Sequence, residues 1–278
     1  MKIGVHISGA GGLEHIPERA RKLGCETFQF FSRSPRGGKS VLSVGTARMF
    51  KESAKEFSFT HFYIHAPYFI NLASQEARIW EGSVEVLRDE LDRAESLGAR
   101  GVITHIGSAK GMTHEEALER VIMGVRRIVQ HAPSTLFLEI SAGSGDIIGS
   151  TLEELKEIYD GAKGNEDASL RVMLDTAHAF ASGYDIRTAK GLGALLDAYD
   201  RFFDLEHLEV VHVNDSKVDL GEKKDRHEEI GKGKLGIKAF RAFVNEKRLA
   251  HINAVLETPK DSDEDDLRNL AILRSLRN

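Results

Sequence analysis

GVITHIGSAKGMTHEEALERVIMGVRRIVQHAPSTLFLEI, residues 101–140, holds one complete unit of the plan on which the chain is built. Its ends, GVITHI (101–106) and LFLEI (136–140), are apolar on consecutive positions, as expected of parallel strands covered on both faces. Between them, EEALERVIMGVRRIVQ (115–130) has the pattern of an amphipathic helix. Thr113 precedes Glu116 by three residues, the spacing of a capping box at a helix start. Each of the two strands carries an ionisable residue at its end, His105 and Glu139.

The same unit recurs in both directions. Apolar runs lie at 2–7, 26–31, 62–66, 171–175, 209–213 and 252–257. Amphipathic segments fall at 15–24, 83–98, 151–159 and 237–247, with Gly24 and Gly98 at helix C-cap positions. Thr151 and Glu154 repeat the capping-box spacing, and the acidic run DSDEDD (261–266) reads as the first turn of a last helix. Strands and helices that alternate eight times imply an α/β protein closed into a (β/α)8 barrel. No linker interrupts the pattern, so residues 1–278 are assigned to one catalytic domain.

Composition narrows the function classes. Hydrophobic residues are 41% and charged residues 29%, as in a water-soluble globular domain. The net charge of −5 argues against a generally basic nucleic-acid-coating protein, although bound cations and a basic rim can reverse the potential within one cleft. Cys25 is the only cysteine, so no disulfide framework or CxxC knuckle is available, which fits a reducing cytoplasm. MKIGVHISGAGG has no apolar signal core, and no run approaches a membrane span. A cytoplasmic protein without membrane association is expected.

The placement of the polar residues carries the functional information. His65, His105, Glu139, Asp175, His212 and Glu257 end six consecutive apolar runs, which in a barrel share the face where active sites are built. His178 follows Asp175 in a turn, and LEVVHVNDSKVDLGEKKDRH (208–227) adds Asp225 and His227 from the loop beyond His212. Residues two apart in an extended segment project to one side, so those two can reach one point. Taken singly, a strand-end histidine reads as a hydrogen-bonded structural residue and Asp175 as a helix cap; six in succession do not. Five histidines and four carboxylates without thiolate suit Zn²⁺, Mn²⁺ or Fe²⁺, and nine donors exceed what one ion takes. Two adjacent cations form the clamp used in phosphoester hydrolysis. His6, near the same rim, is a further residue to watch.

With these residues in place, the chain closely resembles the endonuclease IV family, zinc-dependent apurinic/apyrimidinic endonucleases of base-excision repair on a TIM barrel. The resemblance runs through GVHISGAGGL (4–13), HAPYFINL (65–72), THIGS (104–108), LEISAGSG (138–145), LDTAHAFASGYD (174–185), VHVNDSK (211–217), DRHEEIGKG (225–233) and LETP (256–259). It departs at Pro35, at Ile106, at Glu228-Glu229 and in lacking a tryptophan near Pro35.

The resemblance implies three zinc ions per chain, with Mn²⁺ an alternative at one site. His65 and His105 would hold the first. Glu139 would bridge to a second, completed by Asp175, His212 and Glu257. His178, Asp225 and His227 would hold the third. Glu139 and Glu257 are the catalytic candidates, either of which could also orient water. Tyr68 and Arg36 are the DNA-contacting candidates; for Arg36, simple phosphate contact from a Gly-rich loop is the plainer alternative.

The implied activity is that of a hydrolase, an endodeoxyribonuclease. It would cut the phosphodiester 5′ to an abasic site in double-stranded DNA, leaving a 3′-hydroxyl and a 5′-deoxyribose phosphate, with 3′ end-cleaning as an accessory activity. A monomer suffices. Arg33, Arg36, Lys39, Lys110, Lys217, Lys232 and Lys234 are candidates for phosphate contact. Two rivals remain: a one-metal sugar isomerase or epimerase using Glu139, Asp175, His212 and Glu257, and a lesion-binding protein that does not cut.

Overall fold

A computed structural model describes residues 1–38, 40–163 and 169–278. Eight strands close into a parallel barrel: β1 (Lys2–Ile7), β2 (Thr27–Phe30), β3 (Phe62–His65), β4 (Gly101–Thr104), β5 (Thr135–Glu139), β6 (Leu170–Asp175), β7 (Val210–His212) and β10 (Asn253–Leu256). β10 lies between β1 and β7, which completes the ring. The remaining strands, β8 (Asp215–Ser216) and β9 (His227–Glu228), pair antiparallel as a short ribbon above β7. Among the described residues, no helix is long and apolar enough to cross a membrane.

Helices α1 (Ile16–Lys22), α3 (Ala77–Leu97), α4 (His114–Val129), α5 (Leu152–Lys163) and α8 (Gly236–Val244) fall on the expected amphipathic segments. α3 begins well before residue 83, because Glu76 rather than a later residue opens it. Gly98 ends it in the left-handed conformation, φ 75°. The Thr113–Glu116 capping box is present at α4. At α5 only half of the expected box forms: Thr151 accepts from the Glu154 N–H, while the Glu154 carboxylate turns to the N–H groups of Gly149 and Ser150. The acidic run opens α9 (Asp263–Ser275), with Asp265 accepting from the Asp261 and Ser262 N–H groups. Three further helices, α2 (Val44–Glu56), α6 (Thr176–Ser182) and α7 (Ala189–Phe203), complete the shell.

The strands sort their side chains by the period of two. One face packs under the helices in the main core. The other fills the barrel with Tyr63, Ile103, Phe137, Met173, Val210 and Val255, all fully buried. Close strand approach has its own requirement at Gly4, where a Cβ would lie 1.6 Å from the Thr27 carbonyl oxygen. The apolar plug decides where the chemistry sits. Two residues beyond each of its members stands His65, His105, Glu139, Asp175, His212 or Glu257, in one layer at the C-terminal mouth.

Candidate metal centre

Glu139, at the end of β5, is the hub of that layer. Its Oε1 lies 2.9 Å from His212 Nδ1 and 3.3 Å from His178 Nδ1. Its Oε2 faces His65 Nε2 at 3.6 Å and His105 Nε2 at 3.9 Å. Among the described residues, that second oxygen is buried without a hydrogen-bond partner. A buried carboxylate oxygen without a partner costs stability, and two ring nitrogens arranged around it form a donor set that a cation satisfies. Three groups of donors converge to within 4.8 Å: His65, His105 and Glu139; Glu139, Asp175, His212 and Glu257; and Asp175, His178 and His227. Asp225 closes on the last group, its Oδ1 3.2 Å from His178 Nε2 and 3.5 Å from His227 Nε2.

Local structure explains these positions. Asp175 and His212 are register partners across β6 and β7. Asp175 Oδ1 caps α6 by accepting from the His178 N–H at 2.9 Å, so its capping role and its place in the cluster coexist. His178 therefore stands in the first turn of a helix directly above β6, with its Nδ1 3.3 Å from Glu139 Oε1. His105 and Glu257 lie one residue past β4 and β10. His227 is returned by the β8–β9 ribbon, where it pairs with Ser216. The ribbon is held by buried Asp215, whose carboxylate accepts from the N–H groups of Ser216, Gly231, Gly233, Leu235 and Gly236.

Hydrogen bonds also orient the rings. Carbonyl oxygens only accept, so His65 donates from Nδ1 to Ala66, His178 to Ile140 and His227 to Glu257, which leaves each Nε2 facing the cluster. His178 Nε2 and His227 Nε2 approach to 3.3 Å. Burial opposes ionisation of Glu139, but the His212 and His105 rings outweigh it and hold the carboxyl well below the carboxylate range. Burial likewise disfavours charge on His212, yet Glu257 and Glu139 raise its pKa to about 9. Asp225 is brought down to about 2 against the effect of burial, chiefly by His178.

Two residues of the site have no counterpart in the sequence reading. Asn214 donates to Asp175 Oδ2 at 2.7 Å and accepts from the Glu257 N–H at 2.7 Å, joining two candidate ligands. Gln29, in the middle of β2, contacts His212 at 2.7 Å and Glu257 at 2.6 Å. An amide set between Phe28 and Phe30 in the run ETFQFF was the available signal. His6 sits beside them, its Nδ1 3.0 Å from Gln29 Nε2.

A cleft of about 440 Å³ opens over the donors. It adjoins a larger one of about 840 Å³ through His6 and Lys260, and one of about 450 Å³ through Tyr68, His105, His178 and Asp225. Together they form a groove across the barrel mouth. Tyr68 stands on its rim, 66% exposed, with its ring edge on Phe31. Burial of its hydroxyl and the nearby carboxylates Glu257 and Glu139 push its pKa up to about 12. Arg36 is exposed in a turn closed by the Gly37 N–H on the Ser34 carbonyl, with Pro35 at the position where its fixed φ favours a turn. Gly37 packs beside Phe69.

Among the basic candidates, Arg33 is nearly buried and paired with Asp89 and Glu90, which anchors its loop to α3, and it lines the larger cleft. Lys232 pairs with Glu229 and Lys234 with Asp219, while Lys110 and Lys217 are exposed. Lys39 lies outside the described residues.

A family profile described as xylose isomerase-like TIM barrel matches residues 17–277. A curated relative from Methanoculleus marisnigri, named "Probable endonuclease 4", is 39% identical over 278 residues, covering 99% of this chain and 98% of the relative. The chain belongs to the endonuclease IV family. The crystal structure of endonuclease IV from Thermus thermophilus is similar with a TM-score of 0.86 and 35% identity, covering 99% of this chain and 98% of that one. A D-tagatose 3-epimerase-like protein, 20% identical with a TM-score of 0.75 over 99% of this chain and 97% of its own, shares the fold alone. Endonuclease IV membership accounts for a groove lined by cation donors at the mouth of such a barrel.

Proposed function

We propose that this protein is a DNA-repair endonuclease that hydrolyses the phosphodiester 5′ to an abasic site in duplex DNA, leaving a 3′-hydroxyl and a 5′-deoxyribose phosphate. The observation that carries the reading is the partnerless Oε2 of buried Glu139 between the Nε2 atoms of His65 and His105, with two further donor groups beside it. On this reading the residues would hold three zinc ions, with Mn²⁺ an alternative at one. His65, His105 and Glu139 would hold one; Glu139, Asp175, His212 and Glu257 the second; His178, Asp225 and His227 the third. When bound, such cations neutralise phosphate oxygens and lower the pKa of water to about 7.

The chain's own residues do the rest. Glu139 presents one oxygen to each of two donor groups and so fixes their separation. Glu257, held well below the carboxylate range by His212 against its burial, stays ionised and able to orient a water molecule. Tyr68 and Arg36 on the rim would occupy the distorted duplex at the lesion. Lys110 and Lys217 would hold phosphates without reading sequence. An abasic step has lost its stacking, so it kinks and extrudes more readily than an intact one, which supplies selectivity. The same site would clean blocked 3′ ends, and one chain acting as a monomer in the cytoplasm completes the proposal.

The test is a duplex bearing one abasic analogue, incubated with the protein before and after chelation, beside His65→Ala and Glu139→Ala. Chelator-sensitive incision on the 5′ side, lost in both variants, is expected. Tight binding without incision would instead indicate a lesion-binding protein. Neither binding nor incision, together with turnover of a ketose in Mn²⁺, would indicate a sugar isomerase or epimerase.

A further inference from the structure

We propose that Gln29 is a positioning residue of the metal centre, whose side-chain amide selects the nitrogen of His212 and the oxygen of Glu257 that face Glu139 and Asp175. The proposal rests on the metal-dependent reading above. Gln29 is fully buried in β2. Its Nε2 lies 2.6 Å from Glu257 Oε1 and 3.0 Å from His6 Nδ1, and its Oε1 lies 2.7 Å from His212 Nε2.

The direction of these bonds follows from what each group can do. An ionised carboxylate only accepts, so the amide nitrogen must face Glu257 and the amide oxygen must face His212. His212 then donates from Nε2. Its Nδ1, 2.9 Å from Glu139 Oε1 and 3.1 Å from Glu257 Oε2, would then be the nitrogen that gives up its proton and offers a lone pair when a cation is bound. Glu257 Oε1 is occupied by the amide, which leaves Oε2 for the cluster. Both amide hydrogens and the amide oxygen are used, so the group is fully satisfied where an unpaired one would be costly.

Comparison with the other rings shows what is particular to this one. His65, His178 and His227 are each set by a backbone carbonyl and present Nε2 to the cluster. His212 presents Nδ1 and depends on a side chain for the choice. Partners that orient a ligating histidine in this way typically govern metal affinity by about 10–100-fold.

The experiment uses the full-length protein and two variants. Gln29→Met keeps the length and fills the barrel without hydrogen bonds. Gln29→Glu keeps an acceptor for His212 but loses the donors to Glu257 and His6. Zinc affinity is measured by chelator competition, and the His212 Nε2–H proton is followed by NMR in the zinc-loaded protein. Gln29→Met is expected to bind the weakest-held zinc about 10–100-fold less tightly and to lose protection of the ring proton. Gln29→Glu is expected to keep the protected proton while still binding zinc less tightly.

A Gln29→Met protein with affinity within about twofold of wild type and a protected ring proton overturns the proposal, because an amide that only fills space would give that result. Should Gln29→Met not fold, Gln29→Glu decides alone: wild-type affinity overturns the assignment. Wild-type protein that binds no zinc overturns the nuclease reading itself. Zinc binding and incision by wild type, with both variants unaffected, overturns only the role of Gln29.

Discussion

The donors carried by the barrel strands and those carried by the segments above them reach one cluster by different routes. His65, His105, Glu139, Asp175, His212 and Glu257 stand directly over the apolar plug, each two residues beyond one of its members. The closed sheet therefore sets their spacing before any side chain contributes. His178, Asp225 and His227 have no such foundation. His178 depends on the Asp175 cap of α6, and His227 on a two-residue ribbon held by the nest of N–H groups around Asp215. The carboxylate of Asp225, 49% exposed, meets the two rings it faces. The strand-borne part of the site is thereby tied to the barrel, and the loop-borne part is separable from it.

Replacing the hub should have the largest effect. Glu139→Gln removes charge from two donor groups at once, and incision under saturating substrate is expected to fall at least about a thousandfold, about 4 kcal/mol of transition-state stabilisation. Metal content should fall with it. Retention of full metal content and activity would show that Glu139 does not join the two groups.

Asp215→Ala tests whether the ribbon is separable. It strands several buried N–H groups, with an expected cost of about 3 kcal/mol. Hydrogen exchange should rise across residues 227–236 while β3 to β6 stay protected. Uniform loosening of the barrel would contradict the distinction between the two regions.

Asp225→Asn should be milder, weakening one metal site by about 10–100-fold, or about 1.4–2.7 kcal/mol, and leaving the other two intact. Stepwise zinc release to a chelator would reveal it as one accelerated phase; acceleration of every phase would show that the groups act as one unit. Lys110→Ala should matter least, raising KM a few-fold, leaving kcat unchanged and reducing the salt slope of DNA binding by about one. A salt slope equal to wild type would remove Lys110 from the DNA path.

The same contrast governs what was legible in the chain. Strand ends stood out because a His or carboxylate closes an otherwise apolar run, and the period of two then puts all six in one layer. The barrel followed from eight such runs. The segments between were harder to read. α2 buries only Ala47, Phe50 and Ala54, a stripe too sparse to show its period. α7 carries Gly191 and Gly193, which lower helix propensity. Gly191 is required by packing, since a Cβ there would lie 1.8 Å from the Asp185 carbonyl oxygen. Gln29 and Asn214 act through partners distant in sequence; for Gln29 the run ETFQFF offered a local hint, and for Asn214 none. The ion pairs of Arg33 were hidden for the same reason, because Asp89 and Glu90 on α3 are distant in sequence.

The most direct test of the account is anomalous diffraction at the zinc edge from crystals of the purified protein. Three peaks are expected: one beside His65, His105 and Glu139, one beside Asp175, His212 and Glu257, and one beside His178, Asp225 and His227, with Glu139 between the first two. A single peak among Glu139, Asp175, His212 and Glu257, with the other donors vacant at saturating zinc, would contradict it and support a one-metal sugar enzyme.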